Sequence, residues 1–166
     1  MQHIQADVVV IGGGSAGMGA FRAARKATDS VYIVEDYKFG TTCARVGCMP
    51  SKLLIAAAEA AYHPKHTAQF GVHIDCDVRV DGKEVMDRVR AERDRFVGFV
   101  VEDVEDWPAD KRIFGRAQFK DGHTIVVTNN AGEQTQLTAK RIVIATGSRP
   151  IVLPAWEALG DRLIVN

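Results

Sequence analysis

The apolar positions change period several times along the chain. Ala6 to Ile11 (Ala-Asp-Val-Val-Val-Ile) is a β-branched run too short for a buried helix, and it leads directly into Gly12-Gly13-Gly14-Ser15-Ala16-Gly17. This pattern predicts a strand, a tight glycine turn and a helix from Ala16 to Ala27. A second strand, Ser30 to Val34, ends in Glu35. Leu53 to Tyr62 is built from strong helix formers and small residues, which predicts a helix packed close to a neighbour and ended by His63-Pro64-Lys65-His66. Phe70 to Val80 reads as a connector with a short strand. Gly82 to Asp106 is a long helix with Val85, Val89, Phe96, Phe99 and Val100 on one buried stripe, closed by Trp107-Pro108. Its Arg, Asp and Glu residues form a solvated face laced with helix-spaced ion pairs.

From Arg112 the period becomes two. Ile113 to Phe119 and His123 to Thr128, joined by Lys120-Asp121-Gly122, predict a hairpin. Gln134 to Thr138 follows as a polar strand and Arg141 to Ala145 as a buried one. The expected architecture is α/β, with a small antiparallel meander inserted before the main sheet resumes.

The glycine run sets the first chemistry. Gly12 permits the turn, Gly14 lets a pyrophosphate approach the backbone, and Gly17 lets the helix pack close to the strand, while exposed N–H groups bind the anion. Glu35 lies about 20 residues beyond, where an acid binds ribose hydroxyls. A glycine pattern alone is weak evidence; the strand, helix, strand and acid in this order point to a nucleotide site rather than a bare turn.

The second chemistry is Gly40 to Lys52, Gly-Thr-Thr-Cys-Ala-Arg-Val-Gly-Cys-Met-Pro-Ser-Lys, with Cys43 and Cys48 five positions apart. In a regular helix five residues rise about 7.5 Å, whereas bridged Cα atoms lie within about 7 Å. A redox disulfide here therefore needs a distorted turn. Gly47 removes a side chain where the backbone must bend, and Pro50 fits near a helix start. A helix beginning at this segment would favour thiolate over thiol. Unrelated buried thiols and half a metal site are the competing readings of this spacing, although too few Cys and His residues lie nearby to complete four zinc ligands. His63 and His66 are separated by Pro64 and read as a solvated helix end, and Cys76 is given no role.

Charge adds an exclusion: 21 basic residues balance 21 acidic ones, which offers no global field for nucleic acid or an anionic membrane. No stretch approaches transmembrane length, and Met1 to Gln5 leave no room for a leader, so a cytoplasmic setting is expected. Three cysteines in such a setting argue for catalytic rather than structural pairing. With 166 residues an independent core is feasible.

Three blocks together, Gly12-x-Gly14-x-x-Gly17 with Glu35, Gly40 to Lys52, and Ile142-Val143-Ile144-Ala145-Thr146-Gly147-Ser148-Arg149-Pro150, resemble the pyridine-nucleotide disulfide oxidoreductases, most of all dihydrolipoyl dehydrogenase and its relatives glutathione reductase and mercuric reductase. The resemblance implies a Rossmann-like FAD-binding fold with a parallel sheet and inserted β-meander. It implies FAD as the bound nucleotide, NAD(P)H as co-substrate, a dithiol or disulfide substrate such as a lipoyl group, and a homodimer at full length. It assigns Cys48 as the sulfur nearest the flavin and Cys43 as the interchange sulfur. Gly12, Gly14, Ser15, Ala16, Gly17, Glu35, Thr42, Lys52, Ala117, Ala145, Thr146 and Gly147 become expected cofactor contacts, with Gly115-Arg116-Ala117 near the adenine end and the Lys52 charge near the reducible end of the flavin. Tyr37 and Phe39 either border the cofactor or simply cover the domain.

Departures bear on the substrate. Thr41 stands where the family commonly has a second glycine, and Arg45 where it commonly has asparagine. The NAD(P)-binding and interface domains that the resemblance implies lie beyond these residues, and the apolar Leu163-Ile164-Val165 precedes Asn166 with no terminal signal. The chain is therefore expected to be an N-terminal piece, inactive alone and weak in holding FAD. A non-catalytic flavin module, a plain NAD-binding module and a zinc protein using the two cysteines are the alternatives.

Overall fold

A computed structural model describes residues 1–163 and 165. Ile164 and Asn166, in the tail on which the expectation of a continuing chain rests, lie outside the described residues. The elements are β1 (Gln2–Ile11), α1 (Ser15–Arg25), β2 (Val31–Glu35), α2 (Thr42–Arg45), α3 (Cys48–Tyr62), α4 (Gly82–Glu105), β3 (Arg112–Phe114), β4 (Arg116–Phe119), β5 (Thr124–Thr128), β6 (Gln134–Ile144) and α5 (Pro154–Glu157). Two compact units emerge, one from Met1–Thr41 with the stretch beginning at Val100, the other from Thr42–Phe99.

The first unit holds a six-stranded sheet in the order β3-β2-β1-β6-β5-β4. β1 runs parallel to β2 and β6, β2 runs parallel to β3, and β4, β5 and β6 form the antiparallel meander. The expected antiparallel meander is present and runs directly into the main sheet, because the expected polar strand and buried strand are one. β6 runs unbroken from Gln134 to Ile144, since β1 begins at Gln2 and pairs with it from Gln2↔Thr135 to Ile11↔Ile144. Lys140, which lies between the two expected strands, ion-pairs across to Asp7 of β1 at 2.6 Å.

The expected single strand Ile113 to Phe119 is instead broken at Gly115. Before it β3 pairs with β2, and after it β4 pairs with β5, so a single glycine joins the two edges of the sheet. The sheet must curl until those edges meet. Gly115 has φ of +148°, its N–H donates to Glu35 O at 2.9 Å, and an added Cβ would sit 2.6 Å from Thr128 O. Only a residue without Cβ fits between the end of β2 and the end of β5.

Alternation along the strands makes two cores. Val10, Val31 and Ile33 pack on one face with Met18 and Phe21 of α1, Phe39, Val104 and Trp107. Phe21, fully buried, stacks on Trp107 at 4.5 Å, and Arg22 lies over the same indole at 5.4 Å while pairing with Asp103. Val9, Val34, Ile125, Val127 and Leu137 fill the opposite face. Phe39 is thus a core residue, meeting Phe114 edge-on at 5.0 Å, whereas Tyr37 is exposed.

In the second unit Pro50 occupies the first turn of α3, where its missing N–H has no intrahelical partner to lose. A 3-10 segment, His63–Phe70, extends beyond the expected stop and is ended by Gly71 at φ +75°. Residues 71–80 contain no strand among the described residues: Val72, Ile74, Cys76, Val78 and Val80 alternate with polar residues as a strand would, but the segment pairs with no other strand. α3 buries none of its residues, and the small side chains expected to draw a neighbour close instead line an open apolar cavity of about 600 Å³ with Val85 and Met86. On α4 Val89 is buried as expected, but Phe99 is exposed, and Arg95 stands over the rings of both Phe96 and Phe99.

Candidate functional site

Two groups of expected residues come together, one in each unit. In the first, Gly12 ends β1 at φ +107°, its N–H donating to Val34 O at 2.8 Å. An added Cβ at Gly12 would lie 2.2 Å from Ala145 O, and one at Gly17 would lie 1.8 Å from Gly12 O. Those two glycines pack backbone on backbone. Gly14 is different: it precedes the first helical residue of α1, and its added Cβ would meet nothing within 4 Å. Open space therefore faces the N-terminal N–H groups of an eleven-residue helix, where an anion is stabilised. Ser15 and Ala16 are exposed there.

Glu35, the last residue of β2, accepts the Gly13 N–H on Oε2 at 2.6 Å and the Tyr37 N–H on Oε1 at 2.9 Å. Its carboxylate is thereby fixed beside the glycine turn. Gly12, Glu35, Ala117 and Thr146 all line one cavity of about 300 Å³, which Gly115 and Arg116 enclose from the meander. Ala145, just past β6, donates its N–H to Ile11 O at 2.8 Å and so keeps the late segment against the turn. Gly147 turns the chain away at φ +71°.

Sequence reasoning passed over three residues here. Gly13, the middle of the glycine run, supplies the N–H that holds Glu35, and an added Cβ would lie 2.6 Å from the Phe39 ring. Asp36 and Arg149 line the same cavity. The three-glycine run was the available signal for Gly13. Nothing in spacing or composition singled out Asp36 or Arg149 from other surface charges.

The second group lies in the cysteine block. Cys43 sits in α2, half-buried, and Cys48 opens α3, exposed; both are free thiols. The neighbouring Cys48 thiol as a hydrogen-bonding partner, then burial, then the like charge of a Cys48 thiolate push the Cys43 thiol above its ordinary value. The Cys48 and Met49 N–H groups, which also point at Cys43, act in the opposite direction and are outweighed. Thr42 and Lys52 are exposed, Lys52 four residues after Cys48 and so on the same helical face. Arg45 ends α2 half-buried. No group of three or more His, Cys, Asp or Glu side chains is arranged to hold a metal ion among the described residues.

A glycine turn opening a helix between parallel strands, an anchored acid at the end of the second strand, and a dithiol at the start of a helix define a dinucleotide-binding α/β protein with paired cysteines. The chain belongs to the pyridine nucleotide-disulphide oxidoreductase family, whose model matches residues 6–163. It is 34% identical over 168 residues to dihydrolipoyl dehydrogenase of Bacillus subtilis, an alignment covering 96% of this chain and 35% of that protein. It is also 34% identical over 155 residues to mercuric reductase of Streptomyces lividans, covering 89% of this chain and 31% of the relative. The solved Cu(II) complex of the HOCl-induced flavoprotein disulfide reductase RclA from Escherichia coli shares the fold, with a TM-score of 0.63, 24% identity, and coverage of 90% of this chain and 30% of that one. The chain spans about a third of the length of the curated relatives it matches.

Proposed function

We propose that the chain is the FAD-binding part of a flavin-dependent disulfide reductase of the dihydrolipoyl dehydrogenase type, working in a larger cytoplasmic homodimer with NAD(P)H and a dithiol or disulfide substrate such as a lipoyl group. The cavity of about 300 Å³ at the ends of β1 and β2 carries this reading. The residues present fit the cofactor's adenosine end: Glu35 is fixed where ribose hydroxyls need an acceptor, and the space beside Gly14 admits a pyrophosphate. When bound, FAD supplies two-electron carriage between a nicotinamide and a disulfide.

The protein's own tasks follow from its groups. α1 turns N–H donors toward the phosphates, and Ser15 and Ala16 leave that approach open. Ala117 of the β4 edge and Thr146 wall the cofactor site, and Ala145 and Gly147 hold the turn that carries Thr146. Cys43 and Cys48, free thiols on either side of the α2–α3 break, are the pair that closes to a disulfide and reopens, with Cys43 exchanging with substrate and Cys48 serving the cofactor side. Thr42 and Lys52 frame that pair, and the Lys52 ammonium stabilises negative charge on its face of α3.

Calorimetric titration with ADP, FAD and FMN tests the reading. ADP and FAD are expected to compete for one site and FMN to leave it untouched, because the fitted end of the cavity is the adenosine end. A folded chain that binds neither ADP nor FAD overturns it.

A further inference from the structure

Five residues of regular helix would hold Cys43 and Cys48 too far apart to bridge. The backbone between them is not regular helix. Thr42 O accepts the Val46 N–H at 3.0 Å, the ordinary closure of one helical turn, and also the Gly47 N–H at 2.7 Å. The second bond spans five residues rather than four, a single wide turn of the kind that interrupts α-helices. α2 ends there, and α3 starts afresh at Cys48 with the Gly47 carbonyl accepting the Ser51 N–H at 3.2 Å. One residue, Gly47, is both the closing donor of the wide turn and the cap of the new helix.

Its lack of a side chain matters as much as its N–H. Gly47 is buried, and an added Cβ would lie 3.1 Å from Thr42 O and 3.5 Å from Cys43 Cα. Thr42 O is the atom least free to yield, because it is already clamped by two donors. A methyl at position 47 must therefore push against the segment that carries Cys43.

We infer that Gly47 is the positioning residue that folds the five-residue spacing into a closable dithiol, by closing a five-residue turn on Thr42 O that a side chain would force open. This rests on the proposed redox role of the pair. Gly47 touches neither substrate nor cofactor in this account; it acts through the separation of the two sulfurs.

The test is equilibration of the chain with mixtures of oxidised and reduced glutathione, followed by acid quenching, alkylation and mass spectrometry. In the reaction both thiols lose their protons and together two electrons, one S–S bond forms between Cys43 and Cys48, and one glutathione disulfide becomes two glutathione thiols. Gly47→Ala is expected to weaken the protein disulfide by about tenfold, which is roughly 30 mV for a two-electron couple. Gly98→Ala, the same change within α4 at a glycine whose Cβ would meet nothing within 4 Å, is expected to match wild type. Helical circular dichroism and ADP affinity should be equal in all three, which separates positioning from a general loss of structure.

A Gly47→Ala equilibrium within twofold of wild type overturns the inference and leaves the redox dithiol standing. A wild-type chain that forms no Cys43–Cys48 bridge at any glutathione ratio overturns both. Should Gly47→Ala not fold, amide exchange of Gly47 in the wild-type chain decides: about tenfold protection or more is expected from the bond to Thr42 O, and free exchange overturns the turn itself.

Discussion

Alanine at Gly12, Gly14 and Gly17 tests whether the fold and the proposed ligand depend on different glycines of the first turn. At Gly17 the new Cβ lies 1.8 Å from Gly12 O; ordinary contact requires about 3.5 Å, so α1 must retreat by roughly 1.5 Å from β1. Overpacking of this kind costs about 1–3 kcal/mol. Gly12→Ala meets Ala145 O at 2.2 Å and also holds alanine at φ +107°, so it belongs to the same class. Gly14→Ala meets nothing, at an ordinary φ of −83°. Its loss of a preferred helix-cap residue and its gain from a stiffer unfolded chain are each of about 0.5–1 kcal/mol and opposed, so stability should stay within about 1 kcal/mol of wild type. Its methyl nevertheless fills the space an incoming phosphate needs. Losing one charge-assisted hydrogen bond there costs about 1.5–3 kcal/mol, or about 10–100-fold in affinity. Urea unfolding and ADP calorimetry on the three variants read both quantities. A Gly14→Ala chain that binds ADP like wild type would refute the phosphate cradle, and one as unstable as Gly17→Ala would refute the division of roles.

Phe21→Ala removes a fully buried ring stacked on Trp107, and urea unfolding should show a loss of about 3–5 kcal/mol together with a shift in indole fluorescence. Asp7 tests acid stability: its hydrogen bond to Lys140, then that to Thr28 at 2.5 Å, holds the carboxyl below the usual carboxylate range. A lowered folded pKa gives stability that is present above the unfolded value and lost as pH falls through the folded one. Asp7→Asn should therefore melt lower at neutral pH and show a flatter acid limb, a difference that must vanish at the most acidic pH where both still fold. Cys48→Ala removes the first cause of the raised Cys43 thiol, so the pH at which Cys43 is half-alkylated by iodoacetamide should fall; an unchanged midpoint would mean that burial, not Cys48, governs it.

Local chemistry was legible in the sequence because it is written in contiguous residues. Gly12 to Gly17 gave the turn and the helix start, Glu35 followed one helix and one strand later, and Cys43 to Cys48 with Gly47 and Pro50 gave a distorted turn and a helix start. What the alternation could not reveal was pairing at a distance. Gln134 to Thr138 and Arg141 to Ala145 read as two strands because one is polar and the other apolar, and Asp7, which pairs with Lys140 between them, is more than a hundred residues earlier. Phe99 likewise matches the helical stripe but is exposed, since periodicity says which residues share a face and not how far along the helix that face is covered.

The least legible feature is the one that encloses the cavity beside the glycine turn. Gly115 stands inside an expected single strand and only the family resemblance draws attention to it, yet it is where β3 leaves one edge of the sheet and β4 starts the other. That closure brings Arg116 and Ala117 over the ends of β1 and β2, opposite Glu35. Its hydrogen bond to Glu35 O ties the meander to the residue whose side chain already holds the glycine turn. Glu35 thus joins three segments through one residue: backbone to the meander, one carboxylate oxygen to Gly13, the other to Tyr37. The proposed adenosine site, assembled this way, needs the sheet to close before it exists, so a change at Gly115 should reach the nucleotide without touching it. Gly115→Ala places a methyl 2.6 Å from Thr128 O at φ +148° and must part β4 from β2 or β5. The cavity would then open along the wall that Arg116 and Ala117 supply, and ADP affinity should fall while the Glu35 bonds to Gly13 and Tyr37 survive.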